Sequence, residues 1–283
     1  MADEGWKAMR KKRSSGNALT YIILILGVGI VALPFVWMIL TSLKTNTEAV
    51  SVPVKFFPSS LRWGTYAEIF KRIPFLKMFS NTAVSSIISV IGQLVICSLA
   101  GYSFAKLRFP GKDQIFVVVL AVLMIPGSAY ILTQYQIIQD MGLLNTITAL
   151  FLPKCFSAYG TYLMRQFFIA LPDELRDAAE IDGCSHIQTF TRIYLPLAKP
   201  GLVALGIIAL KYSWNDLMWP LIVNSSLDKM TLSAGLSYMA GQYEIEYPLM
   251  MAGAVLAVLP LLIVFVVFQK QFIAGVANTG IKG

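Results

Sequence analysis

Charged residues are scarce in this chain. Asp, Glu, Lys and Arg make up 13% of its 283 residues, whereas 57% are hydrophobic and the mean hydropathy is +0.68. A soluble domain carries about 25% charged residues, so an ordinary soluble globule is excluded. Cysteine is also rare: Cys97 and Cys155 lie in apolar runs and Cys184 lies between runs. Three cysteines at unlike depths argue against a disulfide framework.

The apolar residues are concentrated in runs long enough to cross a bilayer, which takes about 20 residues. Four runs are free of charge, and two more contain Lys154 or the pair Lys211 and Asp216. The sequence therefore predicts an all-α integral membrane protein with six transmembrane helices, at 19–40, 82–105, 115–133, 147–163, 201–223 and 249–268. The basic start before the first run resembles a signal peptide. Since that run is too long and lacks a small-residue cleavage site, we predict a retained helix.

Lysine and arginine predict the orientation of these helices. Short loops rich in basic residues stay in the cytosol, and the loop around Lys106, Arg108 and Lys112 is such a loop. We therefore predict that both termini are cytosolic, with a basic segment at 1–18, a transmembrane domain at 19–272 and a tail at 273–283. The net charge of +8 then reflects topology and contact with membrane lipid, and we expect no nucleic-acid partner.

One predicted cytosolic stretch is unusually acidic, with five of the 15 acidic residues between Asp173 and Asp182. A short helix is predicted here, and Gly183 is the residue type expected just past its end. One face of this helix combines Leu175, Ala178, Ala179 and Asp182.

A second short helix is predicted to follow at once. Ser185 and Gln188 have the spacing of a capping box, and the Leu195-Pro196 pair ends the helix. Its apolar stripe needs a partner, which is either another subunit or this chain's own spans. The stripe consists of Ile187, Phe190, Ile193 and Tyr194.

These motifs resemble a known family. The run Asp177-Ala178-Ala179-x-x-Asp182-Gly183, followed by Phe190, Ile193, Leu195-Pro196 and Pro200, is similar to the EAA loop of ABC importer permease subunits, in the form found in maltose-type carbohydrate permeases. Asp177 departs from the usual Glu and keeps its charge. Two further segments support the resemblance, Trp214-Asn215-Asp216 and the glycine-rich ending 275–283.

The resemblance implies a type I ABC importer architecture in which loop 172–200 carries a cytosolic coupling helix that docks on an ATP-hydrolysing subunit. The implied coupling residues are Glu174, Asp177, Ala178, Ala179, Asp182, Gly183, Phe190, Leu195 and Pro196, and the implied tail contacts are Thr279, Gly280 and Lys282. The chain has no G-x-x-x-x-G-K-[ST] phosphate loop, so ATP and Mg are expected on that separate subunit. We expect no bound cofactor, metal site or catalytic residue in this chain.

The resemblance also implies partners and a location. The expected partners are a second homologous permease, two ATP-binding subunits, an extracytoplasmic solute-binding protein and a sugar. Loop 224–248 would contact the binding protein. The expected location is the bacterial cytoplasmic membrane, where alternating access would move the sugar without covalent chemistry.

Lys154 and Lys211 are candidates for the substrate pathway because charges inside a membrane usually face water or a partner. Trp214, Asn215 and Asp216 complete this candidate set. Lys211 could instead form an ion pair with Asp216 or a neighbouring helix, and Lys154 could extend outward to the interface. If both lysines line the pathway, they favour an acidic sugar.

The competing hypothesis is an ion-coupled secondary transporter or channel. Such proteins combine repeated halves with intramembrane carboxylates. This sequence shows no convincing repeat, and Asp216 is the only acidic residue in a predicted span. An intramembrane enzyme would need a pattern such as H-E-x-x-H, which the sequence lacks.

Overall fold

In a computed structural model, the backbone is described for residues 2–240 and 246–280, and the side chains for 19–240 and 246–269. All regular secondary structure over this part of the chain is helical, as predicted. The α-helices are α1 Ala2–Ser42, α2 Asn46–Ala49, α3 Gly64–Arg72, α4 Phe75–Lys106, α5 Lys112–Ala121, α6 Gly127–Asp140, α7 Ile147–Phe151, α8 Ala158–Ile169, α9 Glu174–Ile181, α10 His186–Thr189, α11 Leu195–Leu197, α12 Lys199–Trp214, α13 Met218–Val223, α14 Leu232–Ala240 and α15 Tyr247–Gly280.

Within the described residues, three helices are long and apolar enough to cross a membrane unbroken. They are the Leu19–Ser42 part of α1, all of α4, and the Tyr247–Gln269 part of α15. The predicted spans 19–40, 82–105 and 249–268 therefore each lie within one continuous helix.

The predicted continuous helix over 115–133 is wrong. A 3₁₀ turn at Val122–Met124 follows α5, and α6 then departs at 104°. Pro126 explains the break because it lacks a backbone N–H and disfavours a helical conformation at Ile125, which is extended at φ −89° and ψ 120°. The pair α5 and α6 is a broken span or a re-entrant loop.

The other two predicted spans are also divided. In 147–163, a 3₁₀ turn at Leu152–Lys154 separates α7 from α8, and the Ser157 hydroxyl caps α8 by accepting a hydrogen bond from the Gly160 N–H at 3.1 Å. In 201–223, α12 ends at Trp214 and α13 begins at Met218. Hydropathy averaged over a whole run does not register these breaks, although Lys154 and Asp216 lie at them.

The chain divides into two compact units, Met1–Ile69 with Glu244–Val255, and Phe70–Tyr243 with Leu256–Gly283. In the second unit, α4 packs against α8 and α12 around a buried core. Gly101 of α4 permits this close packing, as its small size suggests. A Cβ atom added at Gly101 would lie 2.8 Å from the Cβ atom of Met164 in α8.

We expect Gly101→Ala to destabilise the protein by about 1–3 kcal/mol, because α4 and α8 would have to separate to admit the methyl group. Gly206→Ala is the matched control, since its added Cβ would have no neighbour nearer than 3.9 Å. Thermal unfolding in detergent should show a lower midpoint for Gly101→Ala alone. Equal midpoints for both variants would contradict close packing at Gly101.

Candidate functional site

The predicted coupling segment is loop 172–200. It forms two short helices that meet at Gly183. Gly183 follows α9 with a left-handed φ of +75°, and the Cys184 N–H donates to the Ala179 carbonyl at 2.9 Å. Ser185 then caps α10 as predicted: its N–H donates to Gln188 Oε1 at 2.8 Å, and its hydroxyl accepts from the Gln188 N–H at 3.3 Å. The local geometry is therefore a helix, a glycine turn and a second capped helix.

Two apolar side chains project from this segment on either side of the glycine turn. Ile181 is 86% exposed and Ile187 is 66% exposed. A pair of accessible isoleucines on an otherwise polar segment offers a contact for another protein. Ile181 is not among the predicted coupling residues, although an apolar residue beside the acidic positions of a short helix is a signal that the sequence contains.

The face predicted for α9 is only partly directed inward. Ala179 is buried and Leu175 is half-buried, but Ala178 and Asp182 are exposed. The predicted coupling residues Glu174, Asp177 and Gly183 are exposed as well. Most of the predicted contact residues of α9 are thus accessible to a partner.

Phe190 lies inside the chain's own core, in contrast to its predicted role in partner contact. It is 5% exposed, and its ring centroid is 5.1 Å from Tyr102 of α4 and 6.1 Å from Phe168 of α8. Tyr194 completes this aromatic cluster at 5.3 Å from Tyr102. Of the two partners considered for the apolar stripe, the chain's own helices therefore contact Phe190 and Tyr194.

Polar contacts attach the coupling segment to the end of α4. The buried Lys106 ammonium donates to the Leu171 carbonyl at 2.6 Å and forms an ion pair of 2.6 Å with Asp173. Arg176 Nη1 donates to the Lys106 carbonyl at 3.0 Å, and within the segment itself the Tyr194 hydroxyl donates to the Pro172 carbonyl at 3.0 Å. The segment is thus held by charge-assisted hydrogen bonds as well as by ring packing.

The hydrogen bond from Lys106 lowers the pKa of Asp173 below its ordinary value. A carboxyl group with a lowered pKa in the folded state stabilises the fold above its unfolded pKa of about 4, and this contribution is lost as the pH falls through the lowered value. The ion pair is therefore present at neutral pH.

The remaining coupling residues differ in accessibility. Leu195 is half-buried against the aromatic cluster, whereas Pro196 is exposed. A π-helical turn at Phe190–Tyr194 precedes them, and α12 departs from this region at 79°. The coupling segment is consequently set at a steep angle to the apolar helix that follows it.

Lys154 and Asp216 form an ion pair, with 2.5 Å between the Lys154 Nζ and Asp216 Oδ2 atoms. Lys154 ends the 3₁₀ turn after α7, and Asp216 lies in the break between α12 and α13. Both side chains are about one-fifth exposed. The partner of Asp216 is therefore Lys154, and not Lys211, which the sequence offers as an alternative.

The other candidate pathway residues occupy different environments. Lys211 is exposed on α12 and has no ion pair within the described part of the chain, and Asn215 is exposed. Trp214 is buried: its Nε1–H donates to the Ala257 carbonyl at 3.1 Å, and its ring contacts Phe79 edge to face. Trp214 therefore packs helices together, and the accessible polar groups are those of Lys211 and Asn215.

Some predicted contacts lie at or beyond the limits of the described residues. Thr279 and Gly280 are in the last turn of α15, where only the backbone is described, and Lys282 lies outside the described residues. In loop 224–248, residues 241–245 also lie outside. The described part includes α14 and a turn held by Asn81, whose Nδ2 donates to the Met230 carbonyl at 3.0 Å.

No group of three or more His, Cys, Asp or Glu side chains within the described residues could hold a metal ion.

We expect Lys154→Ala to destabilise the protein by about 1–3 kcal/mol, because Asp216 would keep a partly buried charge without its partner. The exchange variant Lys154→Asp/Asp216→Lys should recover most of this loss. Lys211→Ala, which removes an exposed lysine of the same helical region, serves as the control. Thermal unfolding measures all three, and equal midpoints for Lys154→Ala and Lys211→Ala would contradict a stabilising ion pair.

Comparison with known proteins places this geometry in a family. Residues 5–278 match the profile of the family described as "Binding-protein-dependent transport system inner membrane component". The chain is 35% identical to the arabinooligosaccharides transport system permease protein AraQ of Halalkalibacterium halodurans, with 96% of this chain and 100% of the relative covered. It is 32% identical to the lactose transport system permease protein LacG of Rhizobium radiobacter, over 95% of this chain and 97% of the relative.

Two further matches support the same family. The sn-glycerol-3-phosphate transport system permease protein UgpE of Brucella abortus is 31% identical, with 96% of this chain and 99% of the relative covered. A solved bacterial ABC transporter involved in the import of the acidic polysaccharide alginate has the same fold, with a TM-score of 0.78 at 20% identity, over 91% of this chain and 98% of that chain. These matches confirm the family resemblance drawn from the sequence: the chain is a multi-pass membrane protein that belongs to the family of binding-protein-dependent transport system inner membrane components, the permease subunits of carbohydrate ABC transporters.

Proposed function

We propose that this chain forms half of the membrane pathway of an ABC importer that moves a sugar or oligosaccharide into the cell by alternating access. The names of three relatives specify arabinooligosaccharides, lactose and sn-glycerol-3-phosphate as transported compounds. A carbohydrate or closely related polyol is therefore the substrate class. The chain itself is a transport subunit and carries out no reaction on the sugar.

The proposed assembly contains this chain, a second homologous permease, two ATP-binding subunits and an extracytoplasmic solute-binding protein. ATP and Mg belong to the ATP-binding subunits. Six membrane crossings would be made by α1, α4, the pair α5 and α6, the pair α7 and α8, the pair α12 and α13, and α15. Both termini would then face the cytosol of a bacterial cell.

The coupling segment is the observation that carries this proposal. Ile181, Gly183 and Ile187 present an accessible surface, while Phe190 and Tyr194 in the same segment are packed against α4 and α8. A partner that displaces the accessible surface would therefore move the buried aromatic rings and the helices around them. Closure of the ATP-binding subunits would reach the membrane helices as a rigid-body motion.

The pairing of Lys154 with Asp216 bears on whether the pathway would select a charged sugar. Because these two charges neutralise each other, an anionic sugar would be selected chiefly by Lys211, which is exposed on α12. The same pairing weakens the competing hypothesis of an ion-coupled transporter, since Asp216 is not available as a free intramembrane carboxylate.

To test the coupling surface, we would combine Ile181→Glu with Ile187→Glu and purify the transporter through an affinity tag on this chain. We expect loss of most of the copurified ATP-binding subunit, because two charges would have to be buried where apolar side chains dock. The fold of the chain itself should persist, since both isoleucines are exposed.

Gln188→Glu is the control because it adds one of the two negative charges beside Ile187 without removing an apolar side chain, and it keeps an acceptor for the capping box. This variant should retain the ATP-binding subunit and the uptake of the transported sugar. Full retention of the ATP-binding subunit by the isoleucine double variant would refute the proposed docking surface.

A further inference from the structure

The segment between α1 and α3 exposes an unusual number of large apolar side chains. Seven of them are more than half exposed, and Val52 and Phe57 reach 93% and 75%. A patch of this kind requires a partner, since water-exposed apolar surface is unfavourable. The seven residues are Val50, Val52, Val54, Phe56, Phe57, Leu61 and Trp63.

This segment is folded tightly against the end of α1. The Lys44 side chain is fully buried, with its ammonium 4.1 Å from the Trp37 ring centroid and donating to the Lys55 carbonyl at 2.6 Å. The Arg62 N–H donates to the Leu43 carbonyl at 3.1 Å. The exposed apolar side chains are therefore presented by a fixed backbone.

The exposed charged side chains of the segment are mostly basic. Glu48 is the only acidic residue between Leu43 and Trp63, and its carboxylate accepts from the Ser59 N–H at 3.2 Å and the Thr45 N–H at 3.0 Å. Hydrogen bonding to this carboxylate, first from the Ser59 side chain and then from the Thr45 N–H, lowers the pKa of Glu48 to about 2. The exposed Lys55 and Arg62 thus leave the apolar patch with a positive charge.

Contact with α1 fixes the depth of this patch. The apolar part of α1 has 24 residues, which span about 36 Å, somewhat more than the hydrocarbon thickness of about 30 Å. Trp37 is in the penultimate turn of α1, and its ring lies edge to face with Phe56 at 5.6 Å between centroids. With α1 spanning the bilayer, the patch would therefore lie level with the boundary where α1 leaves the hydrocarbon.

We propose that residues 50–63 form a membrane-surface anchor that binds the lipid headgroup region beside α1. Val52, Phe57 and Trp63 would enter the acyl boundary, while Lys55 and Arg62 would contact anionic headgroups. Aromatic side chains flanked by basic residues are typical of this interface. The patch is also continuous with α1, whose apolar side chains are exposed over Leu19 to Val36. Assignment to the outer leaflet rests on the orientation proposed above, and the anchor itself does not.

The test uses the complete transporter in vesicles of phosphatidylethanolamine and phosphatidylglycerol, with Cys97, Cys155 and Cys184 replaced. A fluorophore is attached at Val52→Cys or Phe57→Cys. Thr47→Cys, an exposed polar position in α2, is the control. Quenching is measured with a lipid that carries a nitroxide near its headgroup, and with iodide in the water.

Labels at positions 52 and 57 should lose most of their fluorescence to the nitroxide lipid and little to iodide, and the label at 47 should show the reverse. Iodide quenching at 52 and 57 equal to that at 47 would overturn the anchor. Protection from iodide without quenching by the nitroxide lipid would also overturn it, because the patch would then be covered by a protein subunit.

Replacing phosphatidylglycerol by phosphatidylcholine should reduce lipid quenching at 57, and this reduction should disappear in Lys55→Gln/Arg62→Gln. An unchanged signal in the wild-type background would overturn the role of anionic headgroups.

Discussion

The packing of Tyr102 against Phe168, Phe190 and Tyr194 is the contact on which the rest of the structure depends. It joins α4, α8 and the coupling segment in one buried cluster. Aromatic pairs of this kind contribute about 0.5–1.5 kcal/mol each beyond the burial of their area. Because protein interiors are close-packed, a force applied to the accessible side of the segment cannot be absorbed locally. Under the proposed function, such a force would displace the helices that hold the other rings.

The breaks in the helices have a complementary role. Non-helical backbone at membrane depth is tolerated where it is buried in protein or lines a water-filled cavity. Lys154 and Asp216 lie at two such breaks and neutralise each other there. Long unbroken α4 provides the rigid connection from the coupling segment, while the broken segments place polar groups along the proposed sugar route. Under the proposed function, the contact with the ATP-binding subunit and the contact with the substrate would thus be made by different kinds of helix.

Local signals predicted the glycine turn and the helix cap around Gly183, and dependence on distant contacts limited the other predictions. Gly183, Ser185 and Gln188 act through neighbours in sequence, so their turn and cap could be identified without a structure. The broken spans were not predicted because hydropathy does not register backbone geometry, although Pro126 in the sequence indicates a helix break. The partner of Asp216 and the burial of Phe190 depend on tertiary packing, which left more than one alternative open.

The central claim is that the coupling segment and α4 move as one body. It is tested most directly by measuring the distance between spin labels at Arg192→Cys and Leu99→Cys, both exposed positions, in the assembled transporter without its native cysteines. We predict the same mean distance and the same distribution width in the nucleotide-free and ATP-trapped states. A shift or a broadening of that distribution on ATP binding would contradict rigid coupling.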